Sequence, residues 1–326
     1  MIIEKFLVKH QKIRNILVLL VMFICTNICL GVYDIKGVGV SQKYKEETFY
    51  QLKIKAELGI AEAQNNLGVM YIHGVVVDQD YKEAFRWFKK AAEQGNAEAQ
   101  YNLGLMYYFG YGIKQDYKEA FYWFKKSAKQ GYADARHNLG FMYCHGYGVN
   151  QDFKEGIYWF NKAAKQGDGR TQYNLGLMYY YGYGKKQDYK EAFYWFNKSA
   201  KQGYAEAQYE LAMCYYHGQG IEQNCKKAFY WFKSSAEQGN SEAQYNLGVM
   251  YLNGKGVKQD YNEAIYWFRK AAVQGNAKAQ YNLGVMYLKG EGVKQDYNEA
   301  IFWFRKAAEQ GFSSAKTALD HCVTKH

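Results

Sequence analysis

From Ala61 onward two kinds of segment alternate along the chain. In the first, apolar residues fall at helical spacing: Ala99, Leu103, Met106 and Tyr107 gather on one side, with Gly104 leaving room for a close neighbour. In the second, Ala84, Phe85, Trp87, Phe88, Ala91 and Ala92 share a face opposite Lys82, Glu83, Lys89 and Lys90. Each segment is long enough for about three helical turns. Glycine ends the first helix at Gly74, Gly110, Gly146, Gly182, Gly218, Gly254 and Gly290, where the chain has to leave through a left-handed residue. The second opens on D-x-x-E pairs, Asp80 with Glu83, Asp116 with Glu119 and Asp260 with Glu263, which suit an aspartate cap and a positive helix end.

The alternation repeats every 36 residues without insertion, superposing Ala61, Ala97, Ala133, Gly169, Ala205, Ser241, Ala277 and Ser313. Seven units follow, 61–96, 97–132, 133–168, 169–204, 205–240, 241–276 and 277–312. Residues 46–59 match a second helix, with Gln51 in place of tryptophan, so 32–60 reads as a linker and an N-terminal capping helix. Residues 313–326 read as a C-terminal capping helix and tail, the helix running from Ser313 to about His321, with Asp320 where glycine usually sits. The predicted architecture is an all-α solenoid of antiparallel helix pairs.

Unit positions 5 and 12 of the first helix point away from the core stripe, yet are mostly aromatic. They include Tyr101, Tyr173, Tyr209, Tyr245 and Tyr281, and Tyr108, Tyr180 and Tyr216. Tyrosine offers large area with few rotors and a hydroxyl, which suits an interface. An exposed partner-binding groove is therefore expected along these residues; packing within the array is the alternative. Asn102, Asn174, Asn246 and Asn282 adjoin them, placed either to meet a ligand backbone or to bond the neighbouring repeat.

The pattern L-G-x-M-Y-x-x-G-x-G-V-x-x-D-x-x-E-A-x-x-W-F-x-K-A-A-x-Q-G resembles the Sel1-like repeat, a relative of the tetratricopeptide repeat. That resemblance implies a right-handed α/α superhelix whose first helices line a concave surface that binds protein segments. It also implies host-interaction, envelope or signalling roles among exported bacterial members. A cysteine-rich branch of the family staples each repeat with a disulfide and is associated with penicillin binding and β-lactamase activity, which makes a cell-wall-directed hydrolase the alternative function.

Cysteine usage departs from that branch. Of six cysteines, Cys25 and Cys29 lie in the leader, and Cys144, Cys214, Cys225 and Cys322 do not staple the repeats. Cys214 and Cys225 both fall in repeat 5 near one helix junction, where either a disulfide or two small buried side chains is expected. The same repeat carries Glu210, Ala212 and Asn224 where others have asparagine, glycine and aspartate. No catalytic site, metal site or cofactor is expected. Ser313 to Lys316 matches S-x-x-K without its partner motifs, and His73, His145 and His217 recur two repeats apart, too far for shared ligation.

Residues 1–31 combine Lys5, Lys9, Lys12 and Arg14 with the apolar run 16–25, the grammar of a signal peptide; an uncleaved membrane anchor is the alternative. Export to the periplasm or beyond is expected. The net charge of +11 falls to +8 without this leader, and the excess is spread thinly, so a protein or peptide partner is expected rather than nucleic acid. Self-association of near-identical repeats is a further expectation.

Overall fold

The computed structural model describes residues 42–325 except Val75. Its described residues form sixteen helices and no strand. Helix Gln42–Glu57 precedes seven helix pairs, from Ala61–His73 with Tyr81–Glu93 to Ala277–Lys289 with Tyr297–Glu309, and helix Ser313–Lys325 follows them. The chain divides into two compact units, 1–151 and 152–326, the boundary falling in the loop between the helices of repeat 3. In both, consecutive helices pack against one another as in an α-solenoid.

The boundaries follow from local chemistry. Asp80, Asp116, Asp152, Asp188, Asp260 and Asp296 each accept two first-turn N–H bonds, whereas Asn224 of repeat 5 accepts one, from Lys227 N. First helices end on left-handed glycines, and a glutamine seals the exit: Gln115 Nε2 donates to Tyr108 O at 2.7 Å, and Gln223 to Tyr216 O at 2.7 Å. The last helix continues to Lys325, beyond the expected end at about His321. Asp320 offers no left-handed stop, and two residues further on Cys322 is buried in the terminal cluster with Phe304.

Inside each repeat the core is built around one phenylalanine. Phe124, Phe196, Phe268 and Phe304 are fully buried. Each sits against a first-helix glycine so closely that a Cβ on Gly104 would lie 2.7 Å from the Phe124 ring. Between repeats of one unit, buried glutamines form a relay. Gln274 Nε2 donates to Gln244 Oε1 at 2.8 Å, and Gln244 Nε2 donates to Ala236 O of the preceding repeat at 3.0 Å. The same relay recurs at Gln238, Gln208 and Ala200. In repeat 3 Arg136 takes the glutamine's place, its Nε donating to Ala128 O at 3.1 Å.

Candidate partner-binding face

The structure moves the tyrosines inward from the freely exposed positions expected of them. Tyr101 and Tyr108 are buried, 6% and 8% exposed. Tyr173, Tyr180, Tyr209, Tyr216, Tyr245 and Tyr281 are half-buried. The reason is the core phenylalanine. Ring centroids lie 5.7 Å apart for Tyr101 and Phe124, 6.1 Å for Tyr173 and Phe196, and 6.3 Å for Tyr180 and Phe196. The two tyrosines of a repeat thus flank the glycine under which the phenylalanine is seated, closing the core from the outside. From repeat 4 onward each still keeps part of its surface open to solvent.

Asn102 reaches between repeats, its Nδ2 donating to Asn65 Oδ1 at 3.0 Å. Asn246 Nδ2 donates to Glu242 O of its own helix at 2.8 Å, and Asn246 and Asn282 act to lower the phenols of Tyr209 and Tyr245 in the preceding repeat against the raising effect of burial. The residue at unit position 6 therefore faces position 5 of the repeat before it. At the joint between repeats 4 and 5 the rule holds but the residue changes, because Glu210 stands in place of asparagine beside Tyr173. Burial raises the Glu210 carboxyl to about 7. Its charge in turn adds to burial in raising the phenols of Tyr173, Tyr180, Tyr181 and Tyr209.

Cys214 and Cys225 are free thiols, the second of the two arrangements considered for them, with Cys214 buried and Cys225 half-buried. They serve different cores: Cys214 is buried with Phe196 and Leu211, and Cys225 packs on the cluster of Phe232 and Trp267. Burial first, and Glu210 second, push the Cys214 thiol up to about 12. His145 is held locally, stacked on Phe141 with 3.9 Å between centroids, while His217 meets Tyr216 at 5.0 Å. Among the described residues no group of three or more His, Cys, Asp or Glu side chains could hold a metal ion. The leader, and with it Cys25 and Cys29, lies outside the described residues.

One feature of the second helices escaped the sequence reading. Tyr122, Tyr158, Tyr194, Tyr230, Tyr266 and Phe302 stand exposed at one unit position. Lysines four residues on cover five of them: Lys126, Lys162, Lys198 and Lys270 Nζ lie 4.5–4.8 Å from the tyrosine centroids, and Lys306 Nζ 5.9 Å from that of Phe302. The aromatic–x₃–lysine spacing was the available signal, and it was obscured by treating these lysines only as solvated charge.

The Sel1 repeat model matches residues 61–96, 97–132, 133–168, 170–204, 205–240, 241–276 and 277–312. The chain is similar to a protective antigen present in uropathogenic Escherichia coli strains, a solved structure with an SLR fold. They share 41% identity over 84% of this chain and 58% of that one, with a TM-score of 0.81. It is also similar to a repeat protein from Oxalobacter formigenes, at 36% identity over 87% of this chain and 82% of that one, with a TM-score of 0.68. The chain thus spans 58% of the length of the E. coli antigen. No curated protein matches it significantly.

Proposed function

The chain belongs to the Sel1 repeat family, whose members act as protein-interaction scaffolds, and from that premise we propose that it captures an extended segment of a partner protein along the first helices of repeats 4–7. The observation that carries this reading is the half-covered tyrosine face. Tyr173, Tyr180, Tyr209, Tyr216, Tyr245 and Tyr281 pack against the core and each keeps part of its surface open to solvent. Rings anchored on a buried phenylalanine lose little further freedom on binding, which favours affinity. The charged leader and the antigenic character of the E. coli neighbour support a chain that works outside the cytoplasm and meets host or envelope proteins.

The test combines an exposed tyrosine of this face with one that packs against the core. Tyr181, 53% exposed, and half-buried Tyr216 are replaced together by alanine, and partners are captured by crosslinking in cells. Selective loss of one captured protein, with an unchanged melting curve, is expected. Capture identical to wild type overturns the groove assignment. Turnover of a β-lactam by the purified protein would instead favour the hydrolase reading.

A further inference from the structure

Repeat 5 breaks the pattern of its neighbours at one joint, and the departures concern charge. Elsewhere in the same unit the tyrosine face already holds cations. Lys255 Nζ lies 4.0 Å from the Tyr216 ring centroid, and Lys278 Nζ 5.7 Å from that of Tyr245. These lysines occupy unit positions 15 and 2 of the following repeat. At the joint between repeats 4 and 5 those positions hold Gln219, which accepts from Tyr180 Oη at 2.9 Å, and Glu206. The asparagine of position 6 has become Glu210 as well. Each of the two following joints sets a lysine beside one carboxylate at these positions, Lys255 with Glu242 and Lys278 with Glu291, whereas this one has Glu206 and Glu210 and no lysine.

Glu210 is surrounded without being sealed, since part of its surface remains open. Tyr173, Tyr180 and Tyr181 face it from the first helix of repeat 4, and Tyr209 and Cys214 from its own helix; Glu242 of repeat 6 acts on Tyr209 behind it. Among the described residues no basic side chain pairs with Glu210, and burial alone accounts for its raised carboxyl. A carboxylate beside tyrosines, on a face where the following joints seat Lys255 and Lys278 over the equivalent rings, attracts a cation through its charge and through the ring quadrupoles.

We propose that the tyrosine face beside Glu210 receives a basic side chain, arginine or lysine, of the partner polypeptide. The proposal rests on the groove reading and names the chemistry that the groove selects. A cation seated there holds Glu210 ionised, so binding below neutral pH releases a proton. Affinity then rises with pH and levels off above the carboxyl's own titration.

The probes are three seven-residue peptides of glycine and serine, with arginine, lysine or citrulline at the centre, read by saturation-transfer NMR on the whole protein. The arginine and lysine peptides are expected to bind with dissociation constants on the order of millimolar, and the citrulline peptide to stay at background. With a carboxyl titrating at about 7, affinity should rise about tenfold between pH 6 and pH 8. Glu210→Asn installs the residue of the other repeats and so keeps the fold; it should lower affinity at least about tenfold and flatten the pH profile. Equal binding of citrulline, or of the Glu210→Asn variant, overturns the proposal, and so does absence of saturable binding. If that happens while Tyr181→Ala with Tyr216→Ala still abolishes partner capture, the groove stands without its cation pocket. Glu210-dependent binding with capture unaffected leaves the pocket and removes the groove.

Discussion

A Cβ added at Gly220 would land on the Tyr189 carbonyl of the preceding repeat, and the residue sits at φ +74°. Gly112, Gly148, Gly184, Gly256 and Gly292 meet backbone or side-chain atoms of the preceding second helix in the same way. Gly239 has a comparable φ of +97° but open space around its missing Cβ. The two glycines look alike in sequence and differ in what they touch. Gly239→Ala should cost only the left-handed backbone penalty, about 1 kcal/mol. Gly220→Ala must also separate two repeats, so about 3 kcal/mol or more is expected. Urea unfolding of both variants checks this; equal losses would mean that the close approach carries no weight. Val76, at the equivalent position of repeat 1, adopts φ 72° and packs on the cluster of Phe49 and Ala56. There the N-terminal cap replaces a full preceding repeat. The need for glycine at helix exits was readable from sequence, but the need at Gly220 was not, because it arises from a helix in another repeat.

Helices were more legible than faces. Asp caps and glycine exits are local devices, and a local device is written in adjacent residues. Burial of Tyr101 and Tyr108 depends on Phe124, which lies in the other helix of the pair, so a helical wheel alone placed them outward. The second helix of repeat 5 shows how local chemistry still grades stability. Asn224 accepts one N–H bond where Asp260 accepts two, and its first turn carries Lys226 and Lys227 at the positive helix end. Asn224→Asp should raise stability by about 0.5 kcal/mol, and the gain should shrink in 0.5 M salt as the charge is screened, to about half. Denaturant midpoints at low and high salt provide the measurement; a gain independent of salt would assign it to hydrogen bonding alone.

At the scale of the molecule, the question is what makes stacked repeats unfold together. Within residues 152–326 each repeat touches its neighbours in sequence, so cooperativity depends on the interfaces. The glutamine relay crosses them at buried positions: Gln244 links Gln274 of its own repeat to the Ala236 carbonyl of the repeat before. The repeated glutamines were visible as a pattern, but their partners lie 8 and 30 residues away, and no spacing rule in one helix reveals such pairs. Gln244→Ala removes a buried bond between repeats and leaves Gln274 Nε2 without its acceptor, although the Ala236 carbonyl keeps its bond from Gly239 N, and should cost about 2 kcal/mol. Gln259→Ala removes exposed bonds within a repeat, to Leu252 O and Tyr261 Oη, and should cost about 1 kcal/mol. The two should also differ in kind. Losing Gln244 weakens coupling, so hydrogen exchange in repeats 6 and 7 should become faster than in repeats 4 and 5, and the denaturant m-value should fall. Losing Gln259 should lower stability with m unchanged. If Gln244→Ala instead lowers protection evenly across residues 152–326, cooperativity resides in the apolar contacts, and the glutamines serve only to satisfy the carbonyls they cover.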